Sequence, residues 1–126
     1  MKIKMNHTIK NIVVLLGVLT FAGSVFAQDA VERGKAKFDH ICAPCHAKGP
    51  GDDGRDMLPG TYALSIKYGD SLPAAIEDRT DLNSEVISVY VRMGTWSMPP
   101  FRKTELTDAE IDDIAAYLAM TSGKND

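Results

Sequence analysis

Cys42-Ala43-Pro44-Cys45-His46 is the stretch of this sequence that decides the fold. Two cysteines separated by two residues and followed at once by a histidine are the attachment pattern of c-type haem. Each sulfur would bond to one vinyl group of the porphyrin, and His46 would bind the iron through Nε2 of its neutral ring. The pentapeptide therefore predicts one covalent haem c, with Cys42, Cys45 and His46 among its binding residues.

Three other uses of the same residues have to be weighed against haem. A thioredoxin-type redox pair expects a βαβ context, which the sequence lacks, and it leaves His46 without a role. A zinc site needs about four protein ligands. Beyond residue 27 the chain offers only the two cysteines, His46 and His40, crowded into seven residues. A disulfide between Cys42 and Cys45 would close only a very small loop, so haem is favoured over all three.

Residues 1–27 are typical of a secretory signal rather than of a folded domain. A start with three lysines and no acid is followed by the apolar run 12–23 and by Ser24-Val25-Phe26-Ala27, which has short residues where a signal peptidase cuts. The alternative is an uncleaved anchor, but the 16 residues from 12 to 27 fall short of a spanning helix of about 20. We expect cleavage after Ala27, a cytochrome domain over 28–126, and a periplasmic protein without a membrane span.

The charge of the mature chain excludes one class of function. Three of the 14 basic residues lie in residues 1–27 and none of the 17 acidic ones does, so the net charge changes from −3 to −6 on cleavage. A nucleic-acid-binding domain would usually show a basic patch or stripe. We therefore expect no nucleic-acid partner.

Three segments are predicted to be helical, and nothing in the sequence predicts a strand. The segments are Ala30–Ile41, Ser84–Arg92 and a stretch that begins with the capping box at Thr107 and ends just before Gly123. Asp29 is the expected cap of the first helix, and Gly94 is expected to close the second. Lys48–Asp70, rich in glycine, is expected to be a loop. The prediction is an all-α fold of three to five helices wrapped around one haem, with long loops.

Met98 is the predicted sixth ligand of the iron. Its thioether favours reduced iron and so raises the reduction potential, and the two prolines that follow it stiffen the chain. Met93 is the nearest rival, but it ends a helix, where methionine is more often part of the core. Met57 is expected in the loop after His46, and Met120 is expected in the core as part of the last helix. His40, beside the attachment motif, is expected at the surface or next to the haem-binding residues rather than as an iron ligand.

The order of these features resembles a class I mono-haem cytochrome c over nearly all of residues 29–118. In that family a glycine and an aromatic residue of the first helix cross the last helix near another aromatic residue. Gly34, Phe38 and Tyr117 match these positions. A proline carbonyl after the histidine commonly accepts a hydrogen bond from its Nδ1. Pro59 is the best match, and Pro50 is a second candidate.

The resemblance implies a carrier of single electrons rather than an enzyme, with no catalytic residue. Its partners would be redox proteins: a periplasmic dehydrogenase as donor, and an oxidase or another cytochrome as acceptor. One alternative is a haem sensor or peroxidase-like enzyme in which Met98 is labile. Another is an obligate cytochrome subunit of a periplasmic dehydrogenase, since the arrangement is also similar to such subunits.

Overall fold

The computed structural model describes residues 27–123, and within them the chain forms five helices and no strand. The helices are α1 (27–41), α2 (Ala43–His46), α3 (Pro59–Tyr68), α4 (Ser84–Met93) and α5 (Asp108–Ser122), with short 3-10 turns at Gly69–Ser71 and Ile76–Asp78. The all-α prediction is confirmed for this part of the chain. No helix in it combines the length and the hydrophobicity that crossing a bilayer requires. Apart from Ala27, the predicted signal segment lies outside the described residues.

Two details of the predicted helices are wrong. Residues 27–29 are already helical, so Asp29 lies inside α1 and does not cap it. The stretch predicted as a loop contains the ten-residue helix α3. Proline suits the first turn of a helix because its missing N–H has no partner there in any case, and Pro59 begins α3 in this way. Gly69, with φ 54°, ends it.

α1 and α5 cross in direct backbone contact at Gly34. A Cβ atom at this position would lie 1.9 Å from the carbonyl oxygen of Asp113 and 2.4 Å from its carbon, so only glycine fits. One turn further along α1, Phe38 meets Tyr117 with ring centroids 5.2 Å apart and planes inclined by 49°. The crossing predicted for Gly34, Phe38 and Tyr117 is confirmed.

The buried core lies between α5 and the elements packed on it. Its most deeply buried side chains come from α1, the segment before α5, and α5 itself: Phe38, Leu106, Ile111, Ile114 and Leu118. Val91 of α4 joins the same cluster. The cluster forms because α5 presents apolar residues at helical spacing while α1 and α4 each turn one apolar side toward it.

The N-terminus of α5 is fixed by the predicted capping box. The N–H of Glu110 donates to the Thr107 hydroxyl at 3.2 Å, and the N–H of Thr107 donates to the Glu110 carboxylate at 2.7 Å. Lys37 of α1 pairs with the same carboxylate at 2.6 Å. The Lys37 hydrogen bond, followed by those from Thr107, lowers the pKa of Glu110 to about 2. The capping box is thereby joined to α1 as well as to its own helix.

Replacing Gly34 by alanine should destabilise the domain severely. The new methyl group would collide with the Asp113 carbonyl, so α1 and α5 must separate, and we expect a loss of about 3 kcal/mol in the free energy of unfolding. Gly123→Ala is the matched control, because a Cβ there would approach only the Ala119 carbonyl, at 3.5 Å. Urea unfolding followed by circular dichroism measures both. Equal midpoints for Gly34→Ala and the wild type would contradict the crossing.

Candidate haem site

One hydrogen-bonded turn holds the two cysteines and the histidine. The carbonyl oxygen of Cys42 accepts from the N–H of Cys45 at 3.1 Å and from the N–H of His46 at 2.9 Å. The N–H of Cys42 in turn donates to the Phe38 carbonyl at 2.8 Å, so α2 continues directly from α1. Residues three and four apart share one side of a helix. The two thiols and the imidazole therefore leave the backbone on the same side.

The fold around the cysteines speaks against a redox pair, and the lack of further ligands among the described residues speaks against zinc. Both cysteines are free, Cys45 is exposed, and burial raises the pKa of Cys42 to about 11. A thioredoxin-type redox pair expects a βαβ context, and residues 27–123 contain no strand. Within residues 27–123 no cluster of three or more histidine, cysteine or acidic side chains could hold a metal ion.

The surroundings of His46 favour the neutral imidazole, which is the form that an iron ligand needs. Its burial lowers the pKa of the imidazole. The Nδ1 atom is buried and has no hydrogen-bond partner among the described residues, so the predicted acceptance by the carbonyl of Pro59, or of Pro50, is wrong. Pro59 instead begins α3, and Gly60 packs on the ring. A Cβ at Gly60 would lie 2.7 Å from Cε1 and 2.8 Å from Nδ1 of His46.

Thr61 of α3 bonds to the C-terminal end of the turn that carries Cys42, Cys45 and His46, which is called the attachment turn. This residue is only 4% exposed, and its hydroxyl donates to the Ala47 carbonyl at 2.9 Å, with the Cys45 carbonyl further away at 3.5 Å. The last carbonyls of a helix have no partner within that helix. Thr61 supplies one, and this bond keeps Gly60 against the imidazole. The sequence reading missed both residues because it missed α3.

The loop 94–100, which carries Met98 and is called the Met98 loop, leaves α4 at Gly94. Backbone hydrogen bonds between its own residues close it into a tight turn. Gly94 has φ 66° and donates its N–H to the Tyr90 carbonyl at 2.9 Å, which confirms its predicted role as the residue that ends the helix. Thr95 and Met98 then exchange two backbone hydrogen bonds, each 2.9 Å long. Trp96, between them, has φ 52° and is fully exposed. The left-handed conformation is unfavourable for a bulky residue, so the tight turn must be held by its surroundings.

Met98 is the one methionine of residues 27–123 that is not exposed. It is half-buried and packs against the same buried cluster that Cys42 contacts. Met93 is 76% exposed, so its assignment to the core is wrong, and the same correction applies to Met120. Met57 is exposed in the segment after His46, and His40 is exposed as expected. Cys42, Cys45 and His46 are thus together on one turn, while Met98 approaches the cluster from a separate loop.

The residues present fit a haem. Within residues 27–123, α4 buries Val91 in the core and yet exposes three large apolar side chains: Val89, Tyr90 and Met93. These belong to the helix that leads into the Met98 loop. An apolar face suits a flat apolar macrocycle, and the thiol and imidazole donors on α2 are the groups that c-type haem requires. When bound, Cys42 and Cys45 would carry the thioether links and His46 the iron.

Comparison with known families agrees with this geometry. The family model described as "Cytochrome C oxidase, cbb3-type, subunit III" matches residues 29–118. The chain belongs to this family. The match runs from α1 into α5 and includes both the attachment turn and Met98, and it confirms the resemblance to a mono-haem c-type cytochrome. No curated protein and no solved structure matches the chain.

A methyl group at position 60 should disturb the haem site of this cytochrome directly. In Gly60→Ala the Cβ would overlap the His46 ring and the Cys45 carbonyl, so the imidazole must tilt or α3 must move away. We expect a several-fold lower ratio of haem to protein. Ser65→Ala in the same helix is the control, since its hydroxyl bonds only to the Tyr62 carbonyl. Absorbance of the purified variants gives the ratio, and a normal ratio in Gly60→Ala would show that the contact is unimportant.

Proposed function

We propose that this cytochrome is an exported carrier of single electrons, with one haem c bonded to Cys42 and Cys45 and ligated by His46 and Met98. The observation that carries the proposal is the turn in which one carbonyl orders both thiols and the imidazole on one side. When bound, the haem supplies an iron that alternates between Fe(II) and Fe(III). The chain itself would orient the haem through Cys42 and Cys45, and burial favours the neutral form of His46 by lowering its pKa.

Met98 is proposed as the second axial ligand on three grounds. It is half-buried against the cluster that Cys42 also contacts, whereas the rival Met93 is mostly in water. Its backbone is fixed by two hydrogen bonds to Thr95. Two prolines follow it and limit the freedom of the chain on that side. A thioether in this position would favour the reduced iron and raise the potential.

The same arrangement favours electron transfer over catalysis by this chain. If His46 and Met98 both ligate the iron, as proposed, no position on it would be open for peroxide or a diatomic ligand. A sensor or peroxidase-like protein would need Met98 to leave the iron easily, yet the loop that carries it is closed at both ends by backbone hydrogen bonds. Binding of carbon monoxide by the reduced protein separates these two functions, because a firmly ligated carrier binds it weakly.

The partners are proposed to be other redox proteins of the periplasm. The signal-like segment 1–27 supports export. A periplasmic dehydrogenase would donate electrons, and an oxidase or another cytochrome would accept them. The matching family is described as an oxidase subunit, which favours a second candidate function: a subunit that works inside a larger redox complex. Purification from the native periplasm tests this, since an obligate subunit would emerge with a stoichiometric partner and a free carrier would emerge alone.

Haem attachment should depend on both thiols. We expect the Cys42→Ala/Cys45→Ala variant to yield no haem-stained band after denaturing electrophoresis, because non-covalent haem is lost under these conditions. The single variants should yield little holoprotein. Wild type run on the same gel is the control. A full-strength band from the double variant would rule out covalent attachment through these residues.

Met98→Ala should abolish the weak near-infrared band that a methionine sulfur gives when bound to ferric haem, and it should lower the reduction potential. The physical reason is the loss of a soft, neutral ligand that prefers Fe(II). Met93→Leu is the control and should keep both the band and the potential. Absorbance spectroscopy and a redox titration measure the two quantities. The reverse pattern would assign the ligand to Met93.

A further inference from the structure

We infer that Arg92 is a positioning residue for Met98: its guanidinium clamps the exit of the Met98 loop onto α4 and α5. The inference rests on the proposed function, since it assumes that Met98 is an iron ligand. Arg92 would not touch the haem itself. It would act through the backbone that carries the methionine.

Both ends of the loop 94–100 are tied to the last turn of α4. At the entry, the Gly94 N–H donates to the Tyr90 carbonyl at 2.9 Å. At the exit, the N–H of Phe101 donates to the Val91 carbonyl at 2.7 Å. The Phe101 carbonyl then accepts from Nη1 of Arg92 at 3.1 Å. Both backbone polar groups of Phe101 are therefore used to fix the exit of the loop.

The second arm of the same guanidinium reaches α5. Nη2 of Arg92 donates to the carboxylate of Asp108, the first residue of that helix, at 2.8 Å. One side chain thus joins α4, the loop exit and α5. A planar guanidinium can donate to two fixed acceptors in different directions at once, which a single ammonium group does much less well.

The surroundings of Arg92 separate it from the ordinary ion pairs nearby. Its side chain is 20% exposed, whereas Lys103 and Arg102, which pair with Asp108 and Glu105, are 72% and 81% exposed. Its Nε is buried without a hydrogen-bond partner among the described residues. A charge-assisted hydrogen bond shielded from water is stronger than the same bond at the surface. The bond to the Phe101 carbonyl is partly buried, whereas the bonds of Lys103 and Arg102 are exposed.

Loss of the clamp should make Met98 easier to displace from the iron. Without Arg92, the exit of the loop keeps only the Phe101 N–H bond, and the methionine is restrained mainly by its own bridge to Thr95. An external ligand such as imidazole competes with Met98 for ferric iron. Its apparent affinity therefore reports how firmly the protein holds the methionine.

The experiment is an imidazole titration of the oxidised holoprotein, followed by the loss of the near-infrared band. We expect Arg92→Ala to bind imidazole about tenfold more tightly than the wild type, as the loss of one charge-assisted hydrogen bond predicts. Lys103→Ala is the matched control: it removes a partner of Asp108 at 2.6 Å and should titrate as the wild type. Arg92→Lys should bind imidazole with an affinity between those of the wild type and Arg92→Ala. It replaces Arg92→Ala in the test if that variant does not accumulate with haem.

The possible outcomes test the role of Arg92 separately from the proposed ligation of the iron by Met98. If Arg92 had a merely structural role, the Arg92 variants would unfold at a lower temperature than the wild type. Their imidazole affinity would nevertheless not exceed that of Lys103→Ala. That result, or wild-type titration of the Arg92 variants, overturns the inference. If the wild type lacks the band and Met98→Ala binds imidazole as the wild type does, Met98 is not the ligand and the axial assignment itself fails.

Discussion

The double hydrogen bond to the Cys42 carbonyl is the interaction on which the rest of this cytochrome depends. Because it closes a turn over Cys45 and His46, the groups that would bond and ligate a haem leave the chain in one direction. α1 supplies the turn through Phe38, whose carbonyl receives the Cys42 N–H, and whose ring lies in the core. The orientation of the site is thus set by the same residue that anchors the fold.

The two proposed axial ligands are supported in different ways. His46 sits on a helical turn with a second helix pressed on its ring, and Gly60 leaves no free space there. Met98 lies in a loop that depends on backbone hydrogen bonds and on the guanidinium of Arg92. A rigid support suits a ligand that stays bound throughout the redox cycle. Met98 would be restrained instead by the contacts of its loop, so the strength of these contacts would set how firmly it binds the iron.

What the sequence could predict follows from how local each interaction is. The residues of the Cys42–His46 pentapeptide and those of the capping box of α5 each lie within five positions of one another, so spacing alone predicts both. α3 was missed because its stabilising contacts are tertiary: Thr61 bonds to Ala47, 14 positions away. Arg92 was missed for the same reason, as its acceptors lie 9 and 16 positions further on. Met93 was misassigned because an apolar residue at a helix end carries no sign of which way it will face.

The crossing of α1 and α5 also sets an order of events during biogenesis. Arg33 and Asp113, which pair at this crossing, are 80 positions apart. Closing so long a segment is entropically costly and waits for the C-terminal helix. If the chain is exported N-terminus first, as proposed, the thiols of α2 would reach the far side of the membrane well before α5 does. A haem bonded to the cysteines at that stage would therefore meet an open chain, and docking of α5 would then close the core over it.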